Sequence, residues 1–352
     1  MQEVNPEMVI IARESRALSQ SALATKMVIS QSILSKIETG CVPVSEDILC
    51  KLVSALGYPD RFFLQYGRKY PGISYHRKRK SVPQKTIDQI DAKVNIIRLH
   101  FDKLLKNLEP IENNIPHFSV EEERMSVEDI ARAVRQKFML PKGPIENLTR
   151  VVEDAGCIIM HSDFETRRFD GISLCVPKMP PMIFINKNMP GDRLRFTVAH
   201  ELGHIVMHEY FTQTMEGEAD RFAAEFLMPE YDIRSELIDL SIERLASLKM
   251  RWKTSMQSLL YRAGALDRIT DRQKQYLWMQ MSKAGYRLQE PVNVEFESAT
   301  LYREIIDAHF EDLHYSLKEL CGVICLHEDE FEQVYLEKKR PQLRLIKNRS
   351  GE

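Results

Sequence analysis

The chain has 352 residues, and at about 100 to 200 residues per domain this length predicts two or three domains. Hydrophobic residues make up 43%, charged residues 28%, and the net charge is −2, which excludes collagen-like, low-complexity and wholly disordered chains and argues against a protein that coats nucleic acid. No apolar run approaches the roughly 18 to 20 residues of a membrane span, the N-terminus is acidic, and six cysteines are sparse, so we expect a cytoplasmic protein with free thiols and no membrane contact.

Residues 1–68 are predicted to form an all-α domain of short helices, because apolar residues recur there at helical spacing. Ser19 and Ser30 each precede a helical pattern as N-caps, which is typical of a helix-turn-helix. In the second of these helices Ile33, Leu34 and Ile37 are expected to face the core. The polar residues predicted to contact double-stranded DNA in the major groove are Gln20, Gln31, Ser32, Ser35 and Lys36. A small helical bundle that binds only protein is the alternative.

Residues 69–115 are predicted to form a basic linker followed by one long amphipathic helix. Eight Lys or Arg and no acid lie between Arg61 and Lys85. Four of these cations are predicted to contact phosphate, with a solvated linker as the alternative: Arg77, Lys78, Arg79 and Lys80. Apolar residues from Ile87 to Leu108 are spaced three and four apart, which predicts a helical connecting arm. Its stripe would serve a homodimeric coiled coil or pack against its own chain.

Residues 116–285 are predicted to form an α+β domain, because two helical patterns precede three β-rich runs and a long helical stretch follows them. The helical patterns cover Ser126–Phe138 and Pro144–Asp154, and the β-rich runs cover Cys157–Met160, Gly171–Val176 and Pro181–Asn186. We expect a small antiparallel or mixed sheet.

Residues 286–352 are predicted to form a mixed or helical appendage with a loose basic tail. In it Cys321 and Cys325 are interpreted as structural thiols, because no four-ligand set surrounds them.

The first helix after the third β-rich run contains the pattern His-Glu-x-x-His. Residues four apart on a helix point in nearly the same direction, so His200 and His204 can bind one ion, with Glu201 beside them as general base. An exposed helix that carries two histidines by chance is the alternative. Zinc is the expected ion, although another divalent ion such as Mn²⁺ would also suit these ligands.

Two histidines need a third protein ligand if one position on the ion is to stay open for water. The following helical pattern offers Glu216, with Asp220 four residues later to accept the free N–H of a ligating histidine. Glu218 points about 200° away from Glu216 and is the weaker candidate. The donor for the oxyanion is left unassigned among four residues: Arg193, Arg195, His208 and Tyr210.

Two stretches resemble known families. LSQSALATKMVISQSILSKIETG resembles an XRE-type (lambda-repressor-like) helix-turn-helix, and RFTVAHELGHIVMHE with EGEADRFAAEFLMP resembles an ImmA/IrrE-type zinc metallopeptidase. The resemblance implies a gluzincin-like site with His200, His204 and Glu216 as metal ligands and Glu201 as catalytic acid and base. The family usually has Asn where this chain has Asp220.

Members of that family cleave XRE-type repressors, and fused forms occur in toxin–antitoxin-like loci. The sequence therefore predicts a multidomain, DNA-binding transcriptional regulator with a zinc-dependent endopeptidase domain. Its expected substrate is a repressor, an antitoxin-like protein or the chain itself, in a stress, phage or mobile-element response. The alternatives are a non-catalytic metal-binding transcription factor and a toxin–antitoxin component; the presence of Glu201 argues against the first of these.

Overall fold

The computed structural model describes residues 3–72, 82–118 and 125–336. The N-terminal helices are α1 (Pro6–Ser15), α2 (Gln20–Lys26), α3 (Gln31–Glu38), α4 (Glu46–Leu56) and α5 (Asp60–Leu64). The side chains of Ser19 and Ser30 accept the backbone N–H groups of Ala22 and Ile33 at the starts of α2 and α3. The predicted N-caps are therefore confirmed.

Fewer apolar residues of helix α3 face the core than its sequence suggests. Leu34 and Ile37 are buried, three positions apart on one face, but Ile33 is 43% exposed. The expectation that Ile33 faces the core is therefore wrong. Ile33 stands about 100° around the helix from Leu34, and so it lies on the outer face.

Helix α6 (Gln84–Leu104), followed by a 3₁₀ turn (Leu105–Asn107), is the long amphipathic helix that the sequence predicts, and many of its side chains are buried. It packs against α1, and its apolar stripe thus covers its own chain, which is one of the two alternatives left open by the sequence. Buried Asn95 accepts the N–H of Tyr70 and donates to its carbonyl oxygen, so the preceding segment is fixed on this helix. The predicted phosphate contacts Arg77 to Lys80 lie outside the described residues.

A small mixed sheet forms at the predicted positions. It follows α7 (Val127–Lys137) and α8 (Leu148–Asp154), and its strands are β1 (Ile158–Ser162), β2 (Gly171–Leu174) and β3 (Met182–Asn186). The strand order is β1-β3-β2, in which β1 runs parallel and β2 antiparallel to β3. Strand β2 therefore lies at an edge of this sheet.

The helices after the sheet are α9 (Gly191–Met207), α10 (Met215–Leu227), α11 (Glu230–Ile233), α12 (Ile242–Trp252), α13 (Met256–Ala265) and α14 (Asp271–Lys283). Helix α9 packs against α10 on one side and against β2 and β3 on the other. The approach of α10 is close because a Cβ at Gly203 would stand 3.0 Å from the Phe222 ring. Glycine at this position lets the two helices meet.

The C-terminal region is helical where it is described, with α15 (Leu301–Glu311), α16 (Leu317–Ile324) and α17 (Glu328–Tyr335). Helices α15 and α16 pack against α6, and α15 also packs against β1. Glu330, on α17, pairs with Arg16 of the N-terminal domain. Cys321 and Cys325 are buried free thiols, in agreement with their interpretation.

The layout is multidomain and rich in α-helix, with the small sheet in the second half of the chain. The four predicted domain limits stay predictions. Within the described ranges, the chain has no helix that combines the length and the apolar character needed to cross a membrane.

Candidate metal centre

Three side chains of metal-ligand type meet between α9 and α10. His200 and His204 project from one face of α9, and their Nε2 atoms stand 3.1 Å apart. The Glu216 carboxylate of α10 lies 3.7 Å from His200 Nε2 and 3.4 Å from His204 Nε2. All three potential ligand atoms lie within 4.8 Å of one another. The structure thus brings together the three residues that the sequence nominates as ligands.

The spacing of these atoms fits a zinc ion. With Zn–N bonds of about 2.05 Å, two ligands of a tetrahedral ion stand about 3.3 Å apart, close to the separation of the two Nε2 atoms. Two nitrogen donors and a carboxylate are also a ligand set that leaves a fourth position open for water. The site is enclosed, since His204 is fully buried and His200 is 8% exposed.

The Asp220 carboxylate contacts the ring of His200 at the nitrogen that does not face the cluster. Its Oδ1 lies 2.9 Å from His200 Nδ1. A carboxylate in this place accepts the Nδ1–H and leaves the Nε2 lone pair directed at the cluster. This is the contact that the sequence predicts for Asp220, although its effect on metal binding is a proposal.

Glu201 lies next to the cluster and is completely buried. The hydroxyl of Ser173, on β2, donates to its Oε2 at 2.9 Å. Its Oε1 has no hydrogen-bond partner within the described part of the chain. One oxygen of this carboxylate is therefore held in place while the other is available for a proton.

Sequence reasoning missed Ser173. The side chain is fully buried in a strand whose other residues are apolar or glycine. A buried hydroxyl needs a hydrogen-bond partner, and a single serine in the run Gly171–Leu174 is the signal that would have drawn attention to it.

His208 and Glu218 lie outside the three-residue cluster. His208 Nδ1 stands 2.9 Å from His204 Nδ1, and its Nε2 stands 3.0 Å from Glu218 Oε2. Burial, with the neighbouring His204 as the next cause, lowers the pKa of His208 to about 4, so the ring is neutral at pH 7. Glu218, the weaker ligand candidate, therefore contacts His208, which in turn contacts His204.

Three of the four candidate oxyanion donors are engaged elsewhere. Arg195 is buried and binds the Glu297 carboxylate and the Ile145 carbonyl oxygen; burial lowers its pKa to about 10, so it stays charged at neutral pH. Arg193 pairs with Asp170, and His208 is placed as described above. Tyr210 is 77% exposed in the segment between α9 and α10, and the oxyanion role stays unassigned.

The predicted DNA-contacting residues of the N-terminal domain fall into two groups. Gln31, Ser32 and Lys36 are exposed and Ser35 is partly exposed on α3. Gln20 is partly buried, accepts a hydrogen bond from Gln31 Nε2 at 2.9 Å and donates to Glu38 at 2.7 Å. These hydrogen bonds fix the orientation of the two glutamine side chains. Ile33, which was expected to face inward, adds an exposed apolar group to the same helix.

Comparison with known families finds a match for each of two segments of the chain. Residues 152–263 match the peptidase family described as the IrrE N-terminal-like domain, and residues 9–63 match a helix-turn-helix family. These matches confirm the predicted pairing of an XRE-type helix-turn-helix with an ImmA/IrrE-like domain. The first range contains His200, Glu201, His204 and Glu216, and neither range reaches the C-terminal region. No curated protein shows significant similarity to the chain.

Proposed function

We propose that the chain, in which a DNA-binding helix-turn-helix domain precedes an IrrE-like peptidase domain, is a transcriptional regulator with a zinc-dependent endopeptidase centre. The observation that carries the proposal is the meeting of His200, His204 and Glu216 within 4.8 Å, beside a buried glutamate. The proposed ligands are these three residues, and Asp220 orients His200. Zinc is the proposed ion, with Mn²⁺ as the other divalent ion that the ligands would accept.

A zinc ion in this place would lower the pKa of its water toward about 7 and polarise the carbonyl of the bond to be cleaved. Glu201 is proposed to take a proton from the attacking water through Oε1, since Oε2 is occupied by Ser173. The same carboxyl group would then return the proton to the leaving amine. Ser173 keeps the carboxylate from rotating between these two steps.

The proposed substrate is a protein: an XRE-type repressor, an antitoxin-like protein or the chain itself. The support is the resemblance of both segments to repressor-cleaving fusions. The proposed DNA partner is a double-stranded operator, read by α3. The apolar stripe on α6 packs against α1 of the same chain, so it does not support a coiled-coil dimer. A homodimer is proposed only because helix-turn-helix proteins commonly bind paired half-sites.

The alternative is a transcription factor that binds metal without catalysis. Glu201 argues against it, because burying a carboxylate that does not ligate an ion is costly unless the group has a function or a full set of partners. Here only one of its two oxygens has a hydrogen-bond partner among the described residues. A component of a toxin–antitoxin pair remains compatible with the same centre.

Zinc content tests the proposed centre. Purified wild-type chain should hold about one zinc ion, and His204→Ala should hold almost none, because three protein ligands are needed for tight binding. Glu216→Ala should weaken zinc binding far more than Glu218→Ala, since only Glu216 lies in the cluster. Elemental analysis and chelator competition measure both effects. His117→Ala, which removes an exposed histidine, is the control and should keep its zinc.

Two results would contradict the assignment. Absence of metal from the wild type would favour a DNA-binding protein with a vestigial peptidase fold. A stronger effect of Glu218→Ala than of Glu216→Ala would reassign the third ligand.

Salt-dependent DNA binding tests the proposed interface. Each phosphate neutralised by the protein contributes about 0.9 to the slope of log K against log salt concentration. Lys36→Ala should therefore weaken binding to a mixed-sequence duplex and flatten this slope by about one phosphate. Neutralising Arg77 to Lys80 as well should flatten it further. Fluorescence anisotropy at several salt concentrations measures the slope.

Lys51→Ala is a matched control, because this lysine is partly exposed on α4 and pairs with Asp47. It should leave the slope unchanged. An unchanged slope for Lys36→Ala would mean that Lys36 does not contact phosphate.

A further inference from the structure

We propose that His208 and Glu218 are positioning residues that fix the tautomer of His204 and so direct its Nε2 lone pair at the metal. The proposal rests on the proposed function, because it concerns the metal centre. It assigns a role to two residues that the ligand set leaves unused. It also explains why a third histidine follows at the end of α9.

Two imidazole rings and a carboxylate form a chain that runs outward from the cluster: His204, His208 and Glu218. His204 Nε2 lies at the cluster, 3.1 Å from His200 Nε2, so Nδ1 is its outer nitrogen. That nitrogen stands 2.9 Å from His208 Nδ1, and His208 Nε2 stands 3.0 Å from Glu218 Oε2. His204 is fully buried and His208 is 6% exposed.

The end of α9 places His208 in this chain. The helix ends at Met207, and His208 has the extended backbone angles φ −119° and ψ 100°. A helical residue here would continue the series that begins with His200 and His204 along one face. Because the backbone leaves the helix, the ring of His208 meets the outer nitrogen of His204 and not the cluster.

The carboxylate at the far end sets the direction of every hydrogen bond. Glu218 can only accept, so His208 donates to it from Nε2; the two facing Nδ1 atoms then need one proton and one lone pair between them, and we assign the lone pair to His208 Nδ1. That lone pair accepts a hydrogen bond from the Nδ1–H of His204. His204 consequently has no proton on Nε2, which is the form that binds a metal ion.

Both proposed histidine ligands are thus connected to a carboxylate through hydrogen bonds, one directly and one through a second histidine. Asp220 accepts directly from His200 Nδ1 at 2.9 Å, whereas Glu218 acts on His204 through an inserted imidazole. Removal of such an outer partner lowers metal affinity by about 10- to 100-fold in other metal sites. The relay should therefore contribute to metal affinity as much as Asp220 does.

Zinc affinity of full-length variants tests the relay, with zinc itself as the probe in competition with a chelator. His208→Phe keeps a ring but has no acceptor, and it should weaken zinc binding by about 10- to 100-fold. His208→Gln offers an amide oxygen to His204 and an amide N–H to Glu218, so it should recover much of this loss. Glu218→Ala should weaken binding by about 10-fold. Glu209→Ala, at an exposed acid beside His208, is the control and should leave the affinity unchanged.

The tautomer of His204 is a second readout that packing alone would not alter. In metal-free wild type, the ¹⁵N shifts of His204 should show protonated Nδ1 and unprotonated Nε2, and Glu218→Ala should produce a mixture of tautomers. If His208→Phe does not fold, Glu218→Ala and His208→Gln carry the test, because neither places an apolar ring between His204 and Glu218.

The outcomes separate the relay from the centre. Wild-type zinc affinity and an unchanged tautomer in His208→Phe, or in Glu218→Ala where His208→Phe does not fold, would overturn the relay and leave the metal centre intact. A wild type that binds no zinc would overturn the centre and the relay together. Loss in His208→Phe with recovery in His208→Gln would support the relay.

Discussion

Glu201→Gln should leave zinc bound while lowering peptide cleavage by about 10²- to 10⁴-fold, the usual contribution of a general acid and base. The amide has the shape of the carboxylate but cannot take a proton from water at neutral pH. The side chain is fully buried and is not one of the three proposed ligands. Proton transfer should therefore be lost while the metal ligands are unchanged.

A proteome-derived peptide library supplies the measurement, because it presents many different cleavage sites to the protein at once. Mass spectrometry first identifies a peptide that wild-type protein cleaves, and the cleavage rate of that peptide is then compared between variants. Glu209→Gln is a matched control, since Glu209 is an exposed acid eight residues further along the chain. It should cleave at the wild-type rate and hold the same amount of zinc.

Ser173→Ala should give an intermediate loss in the same assay, since it frees the Oε2 that Ser173 binds but keeps the carboxylate. Cleavage by Glu201→Gln at the wild-type rate would remove Glu201 from the mechanism. Loss of both zinc and cleavage would show that Glu201 acts through metal binding.

The sequence predicts best those features that depend on local geometry. The caps at Ser19 and Ser30 form because a side chain meets a backbone N–H three residues ahead. His200 and His204 converge because helical spacing alone places their rings on one face. The three strands appear within one to two residues of their predicted limits, since each is a short run of β-forming residues.

Features that depend on tertiary contacts are less accessible from sequence. The three–four spacing of α6 shows that the helix buries one side, but it does not show that the partner is α1 of the same chain. His208 follows the helical series in sequence, yet the helix ends before it and its ring points to a different partner. Ser173 and Glu201 are far apart in sequence and meet only because β2 packs on α9.

The tertiary contacts of the C-terminal region could not be predicted from the sequence either. Its sequence resembles neither family segment, and its residue pattern fits a mixed or a helical fold. Two of its contacts with the peptidase domain are made by acidic residues that no short motif reveals. Glu290 binds Lys249, and Glu297 binds Arg195. These pairs join residues separated by 41 and 102 positions in the chain.

Glu297→Ala should lower the free energy of unfolding by about 3–5 kcal/mol, because it leaves the charge of Arg195 buried without its carboxylate. Arg195 is fully buried on α9, the helix that carries both histidines. Glu297 also accepts the backbone N–H of Thr149 at 2.9 Å, and that donor would lose its partner as well. Urea unfolding followed by circular dichroism measures the change.

A second arginine on the same helix gives a matched control. Arg193 pairs with Asp170, but the arginine side chain is 55% exposed. Asp170→Ala should therefore cost only about 0–1 kcal/mol, the usual range for an exposed ion pair. The two pairs differ in burial and in the hydrogen bond that Glu297 also accepts from Thr149, so the difference between the two variants reports these two contributions together.

Replacing both buried partners distinguishes an unpaired charge from a general loss of packing. In the double variant Arg195→Met with Glu297→Ala no charge remains to be buried, so much of the stability lost in Glu297→Ala should return. A double variant as unstable as Glu297→Ala would mean that packing and the Thr149 hydrogen bond dominate. A small effect of Glu297→Ala would instead mean that the C-terminal region contributes little to the stability of the helix that carries His200 and His204. Because Arg195 precedes His200 by five positions on α9, the expected large effect would make this region an integral part of the peptidase core.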